Sequence, residues 1–233
     1  LFLSFYIYLS FNYYLYTLIT IRQAAAYGII LLSIKSIKER KPLHFLIFIL
    51  IASGFHISAV FFLPAYLLYK VEINRKSIIG YILILITVWL TRIYIARFII
   101  NKIFTDYKVE ISNSYTYLFL HVFILLFGLL VYKKYVTKRY EVSEKEDINF
   151  MYMCMMSGIV LMIGCSVASN ALRIAYFYTL QIVIFIPNAI SYIRNARIRF
   201  ILQVGTFALC TYVFSVFING FALQNMDYIP FWK

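Results

Sequence analysis

Charge is scarce in this chain. Only 13% of its 233 residues are charged, against about a quarter in soluble domains. Acidic residues are scarcer still, 9 against 22 Lys and Arg, for a net charge of +13. So little charge excludes an ordinary soluble globule, and the high apolar content excludes a disordered chain. The excess of positive charge does not indicate a nucleic-acid binder, because the basic residues punctuate apolar runs and form no stripe on a polar face. HExxH, DxD, GxxxxGK[ST] and CxxC motifs are all missing. Nothing therefore supports a metal-dependent nucleotide-sugar transferase or an ATP-driven pump, and no cofactor or metal is expected. The three cysteines, Cys154, Cys165 and Cys210, lie inside apolar runs without ligand spacing and read as small packing residues.

What the chain does have is apolar length. Hydrophobic residues make up 64% of it, with 22 Tyr and 22 Phe. Apolar runs cover residues 1–20, 23–34, 43–69, 77–100, 115–132, 150–168, 171–190 and 200–218. Most approach the 20 or so residues that cross a bilayer, and none alternates as a strand would. The sequence predicts an all-α polytopic integral membrane protein of about nine helical segments, one of them a short broken or re-entrant hairpin. It forms a single membrane domain over residues 1–233. The start at Leu1, with no basic leader and no cleavage pattern, points to a fragment whose N-terminal spans are missing.

The run 43–69 is too long for one span and short for two, and it is interrupted at Ser53-Gly54-Phe55-His56. If it is a hairpin, the clusters at 35–41, 70–76, 133–145 and 194–199 all fall on the cytoplasmic side, as the positive-inside rule favours. A single crossing would place the later clusters outside. The hairpin is preferred, and it leaves Arg22, Arg92, Arg97 and Arg173 on the outer side, where an anion is expected to compensate them.

Helix 23–34, about 18 Å long at 1.5 Å per residue, stops short of the outer surface and so sinks Arg22 below it. The short arms of the hairpin bring His56 to a similar depth. Irregular backbone at such depth must line a cavity. An outward-opening pocket is expected, with Arg22, Gln23 and His56 at its floor. Arg22 and Gln23 open a helix, where backbone N–H groups and the positive dipole end favour an anion; the alternative is an arginine that snorkels to lipid headgroups. His56 suits proton transfer or hydrogen bonding to a sugar or phosphate, or it is a satisfied structural donor. Asn170, Arg173, Tyr176 and Phe177 share one helical face, which fits a glycan or pyrophosphate, or inter-helix packing. Arg92 and Arg97, five apart, point to different faces, so one reads as a site residue and the other as an anchor. Asp106 and Glu110 read as solvated loop acids, His44 and His121 as structural. Pro64 and Pro187 are expected to kink their helices.

The order Arg22-Gln23-x-x-Ala26, a basic loop, Ala52-Ser53-Gly54-Phe55-His56-Ile57-Ser58-Ala59 with Leu63-Pro64, then Arg173-x-x-Tyr176-Phe177 with Ile186-Pro187 resembles the EpsG-like branch of Wzy-type repeat-unit polymerases. The resemblance implies a metal-independent membrane glycosyltransferase in a bacterial plasma membrane. It would join polyprenyl-pyrophosphate-linked oligosaccharides into capsular, exopolysaccharide or O-antigen polymer, with a flippase and a chain-length regulator as partners. Arg22, Arg173 and His56 would be catalytic. Gln23, Ser58, Arg92, Arg97, Asn170 and Tyr176 would bind substrate. A lipid-linked glycan flippase or exporter and a membrane acyltransferase that modifies polysaccharide are the alternatives.

Overall fold

A computed structural model describes residues 1–11, 13–103, 116–136, 142–165 and 172–217; the side chains of 95–103, 116–117, 136, 142–144, 164–165, 172–173 and 217 lie outside that description. Among the described residues every regular element is helical. The α-helices are α1 (Phe2–Ser10), α2 (Tyr13–Ile19), α3 (Ile21–Lys38), α4 (Pro42–Phe55), α5 (Ala65–Leu68), α6 (Arg75–Ile103), α7 (Thr116–Val131), α8 (Val142–Cys165), α9 (Leu172–Thr179), α10 (Ile182–Ser191) and α11 (Ala196–Phe217). A 3-10 helix, Ile57–Phe62, joins α4 to α5, and a π-helical turn, Tyr132–Val136, follows α7. Five stretches are long and apolar enough to cross a bilayer: Arg75–Tyr94, Leu118–Tyr135, Lys145–Ile163, Ile174–Ser191 and Ala196–Val216. The chain is an all-helical, multi-pass membrane protein.

The expected hairpin at 43–69 is present. Helix α4 ends at Phe55, His56 turns into an extended conformation (φ −152°, ψ 117°), and the chain returns through the 3-10 helix and α5. Polar contacts fix where it returns. Lys38 Nζ lies 2.7 Å from Asp147 Oδ2, Tyr69 donates its hydroxyl to Asp147 Oδ1 at 3.2 Å, and the Arg40 guanidinium sits 4.6 Å over the Tyr69 ring. The loop after α3, the end of α5 and the start of α8 therefore share one basic face, which the positive-inside rule assigns to the cytoplasm. The turn itself is a C-terminal helix cap. Lys41 N–H donates to the Ser36 carbonyl and Arg40 N–H to the Ile37 carbonyl, with Arg40 in the left-handed region at φ 57°.

Several boundaries differ from the sequence expectation: α8 begins at Val142 and not at 150, and three others bear on the site. The run 1–20 is two helices, because α1 packs on α10 and α11 while α2 packs on α3, and one straight helix cannot serve both directions. The helix expected at 23–34 spans 18 residues, Ile21–Lys38. It continues through Ser33 and Ser36, both buried, because Ser33 returns its hydroxyl to the Ile30 carbonyl at 2.7 Å and the helix packs along α4. At about 27 Å it nearly matches the hydrocarbon thickness, so Arg22 stands close to the far edge of the bilayer core and not well beneath it. The run 171–190 is interrupted at Leu180 and Gln181, between α9 and α10; Pro187 lies inside α10, and that interruption precedes it.

Candidate functional site

Helix α9 collects the elements that matter. Tyr176 meets the rings of Tyr13 and Tyr16 edge-on at 5.4 and 4.8 Å. Phe177 meets Tyr27 of α3 at 4.4 Å. Tyr178 lies 5.0 Å from Phe62 and donates its hydroxyl to the Phe61 carbonyl at 2.9 Å. Thr179 receives the hydroxyl of buried Tyr13 at 3.0 Å. Four consecutive residues point to different sides of a helix, so α9 is held by α2, by α3 and by the 3-10 helix at once. Glycine makes the fourth side close: a Cβ on Gly158 of α8 would strike the Thr179 methyl.

Gln23 is 1% exposed and donates from Nε2 to the Tyr27 hydroxyl at 2.8 Å. The Arg22-Gln23 motif is thus tied through Tyr27 to Phe177 of the Arg173-x-x-Tyr176-Phe177 motif. Arg22 itself is exposed from the protein. His56 is half-buried, and its Nδ1 lies 2.5 Å from Oγ of buried Ser58, so the Phe-His-x-Ser motif is a local pair across the break. Arg22 lies 16 residues before Lys38 on α3 and Phe55 lies 13 after Pro42 on α4, about 24 and 20 Å, which places Arg22 and His56 within a turn of the same height. Both α3 and α9 pack against the 3-10 helix that follows His56.

The backbone of Arg173 belongs to α9, and its side chain lies outside the described residues. Helices α3 and α9 both run towards the basic face and touch at Tyr27 and Phe177. Arg22 lies five residues before that contact and Arg173 four, about 7.5 and 6 Å along their axes, so the two backbones sit at nearly one level. Asn170, Asp106 and Glu110 and the side chain of Arg97 are outside the described residues. Arg92 is half-buried, donates to the Trp89 carbonyl at 2.5 Å and covers the Trp89 ring at 4.1 Å. Its own helix satisfies it, and α6 packs on α8, so the structure does not bring Arg92 to Arg22 or His56.

A cavity of about 210 Å³ opens between α2, α3 and α9, lined among others by Tyr13, Tyr16, Ala24, Tyr27, Gly28 and Tyr176. Neither Arg22 nor His56 lines it, so the expected floor is replaced by tyrosines. Tyr13, Tyr16, Tyr27 and Thr179 were not among the candidate residues. A usable signal was nevertheless there: a tyrosine deep in a span needs a partner for its hydroxyl, and Gln23 and Tyr27 stand four apart. His121 is buried against Phe11, ring centroids 5.8 Å apart, and His44 is exposed beside the basic loop. Among the described residues no cluster of His, Cys, Asp and Glu is arranged to hold a metal ion.

No curated protein and no solved structure matches this chain. The sequence profile of the EpsG family matches residues 1–231, nearly the whole length, with the Arg-Gln, Phe-His-x-Ser and Arg-x-x-Tyr-Phe motifs inside it. The chain belongs to the EpsG family.

Proposed function

We propose that this protein polymerises polyprenyl-pyrophosphate-linked oligosaccharide repeats at the outer face of a bacterial plasma membrane, as a metal-independent glycosyltransferase. One observation carries the reading: three sequence-distant motifs converge on α9 and the 3-10 helix, through Gln23–Tyr27–Phe177, the His56–Ser58 pair and the bond from Tyr178 to Phe61.

The chemistry needs an anion grip and a proton acceptor. A hydroxyl of the incoming lipid-linked repeat attacks the anomeric carbon of the growing chain. The carbon–oxygen bond to the carrier breaks, and the pyrophosphate departs with the electron pair. Arg22 and Arg173 stabilise that charge, and fixed cations in a water-poor site are the strongest means of doing so. The imidazole of His56, oriented by Ser58, takes the hydroxyl proton. Gln23 and Tyr176 hold the substrate beside them. Asn170 and Arg97 join the same outer side by sequence.

Profiling lipid-linked glycans in a strain that lacks the full gene tests this. Accumulation of single outward-facing repeats supports a polymerase, inward-retained repeats a flippase, and unacylated full-length polymer an acyltransferase. Complementation with Arg22→Ala should leave polymer synthesis on the order of a hundredfold lower, and His56→Ala should abolish long polymer. Long polymer from a stably inserted His56→Ala protein would remove His56 from the mechanism.

A further inference from the structure

Helices α3 and α9–α10 run side by side towards the basic face, yet their backbones stay apart for most of that length. Two cavities fill the space between them. The tyrosine-lined one reaches Leu31 and Leu180. The second, about 370 Å³, has the start of α8 as its third wall and extends from Ile34 and Gln181 to Lys38, Asp147 and Asn188. Leu180 and Gln181 are chain neighbours, and Leu31 and Ile34 are one turn apart on the same helix face, so the cavities follow one another along a single seam. From Ala24 to Lys38 this seam is about 21 Å long. Exposed Leu31, Leu32 and Ile184 flank it, and it lies at the depth of the bilayer core.

Gly28 adds an independent observation. It sits inside α3, where glycine costs about 1 kcal/mol against alanine. A Cβ there would meet nothing within 4 Å, so no neighbouring protein atom requires the glycine. Gly28 lines the cavity, one turn from Ala24. The space beside it is open to an occupant that is not part of the described chain.

We infer that this seam holds the polyprenyl tail of the lipid-linked substrate, with its phosphates at the Arg22 end of α3. The identity of the lipid rests on the polymerase reading. Charge complementarity fixes its direction: among the described side chains Arg22 is the cation nearest the outer end, whereas at the inner end Lys38 is already paired with Asp147. Length fixes its class. A tail anchored near Arg22 and lying along about 21 Å of seam passes the midplane of a hydrocarbon core about 30 Å thick, and a phospholipid acyl chain remains in its own leaflet. In the outer cavity, tyrosine rings beside Ala24, Leu31 and Leu180 suit the flat, methyl-bearing double bonds of an isoprenoid, and the polar residues are gathered at the inner end.

The test uses the purified protein in nanodiscs with a long polyprenyl phosphate that carries a diazirine on one of the isoprene units nearest the phosphate. Adducts are expected on peptides containing Leu31, Ile34, Leu180 or Ile184, with competition by the unlabelled lipid. Gly28→Leu, whose Cβ meets no atom within 4 Å, should lower this labelling about tenfold while the melting temperature is kept or raised. Three outcomes would overturn the inference: equal labelling of Leu83, Leu90 and Ile201 on α6 and α11, equal seam labelling by a phosphatidylglycerol with a diazirine in its acyl chain, or Gly28→Leu protein that labels like the parent. Photolabelling needs no turnover. Seam labelling together with a flippase-type glycan profile would leave the lipid site standing and remove the polymerase reading; a polymerase profile with an unlabelled seam would do the reverse.

Discussion

The middle of the molecule and its edge are built on different rules. In the spans Lys145–Ile163 and Ile174–Ser191, 67% and 61% of residues are buried by protein, whereas in Arg75–Tyr94 none is and in Ala196–Val216 only 6% are. The central helices meet through buried hydroxyls and edge-on rings, such as Tyr13 with Thr179 and Tyr152 with Phe185 at 4.6 Å, and through glycines that let backbones approach. The outer helices α6 and α11 each pack by one side, α6 on α8 and α11 on α1, with Tyr81 bonded to the Met156 carbonyl at 2.8 Å and Tyr6 to Thr211 at 2.7 Å. Apolar side chains gain nothing by leaving lipid for protein, so hydrophobicity alone cannot order a bundle in a membrane; close packing and polar partners do. The candidate site lies where those partners are densest.

Glycine substitutions should separate the two regions most strongly. Gly158→Val drives a branched side chain into Thr179 and towards Tyr178, and it should cost about 3 kcal/mol, read as a fall in melting temperature in detergent. Gly205→Ala on α11, where a Cβ meets nothing within 4 Å, should be neutral or stabilise by up to about 1 kcal/mol. Equal losses at both positions would erase the distinction. Hydroxyl removal is a finer probe. Tyr13→Phe leaves Thr179 without its buried donor and should cost about 1–2 kcal/mol, whereas Tyr6→Phe at the exposed rim should stay within about 0.5 kcal/mol.

The smallest effect belongs to the basic face. Lys41, hydrogen-bonded to Glu39 at 2.8 Å, holds that carboxyl below its usual value of 4.5. A carboxyl lowered by folding adds stability that is complete above 4.5 and fades as pH falls through the lowered value. Glu39→Gln should therefore melt slightly below the parent at neutral pH and match it in strong acid. A gap that persists in acid would mean that Glu39 acts by packing and not by charge.

Comparing sequence with structure shows which physics each reports. Counting basic residues located the hairpin at His56, because sidedness is a property of loop charge and needs no tertiary knowledge. The motifs drew attention to the helix start at Gln23 and the backbone break at His56, which the structure contains, since helix ends and broken backbone are local. The sequence could not show that 1–20 divides between two sets of partners, or that α3 continues past Ser33 and Ser36, because those outcomes depend on packing against other helices. Polar residues that bond their own helix look like helix ends in a linear reading. Nothing local says that Tyr13 finds Thr179, 166 residues away.

Cross-linking positions 22 and 173 shows whether the two arginines share one grip on the carrier. In a background lacking Cys154, Cys165 and Cys210, the Arg22→Cys, Arg173→Cys double variant is treated in membranes with a short bismaleimide, beside a Tyr27→Cys, Phe177→Cys control. Both pairs should cross-link within one chain, and added polyprenyl pyrophosphate should protect the 22–173 pair. A control that cross-links while the 22–173 pair does not, or a pair indifferent to the lipid, would contradict a shared grip on the carrier.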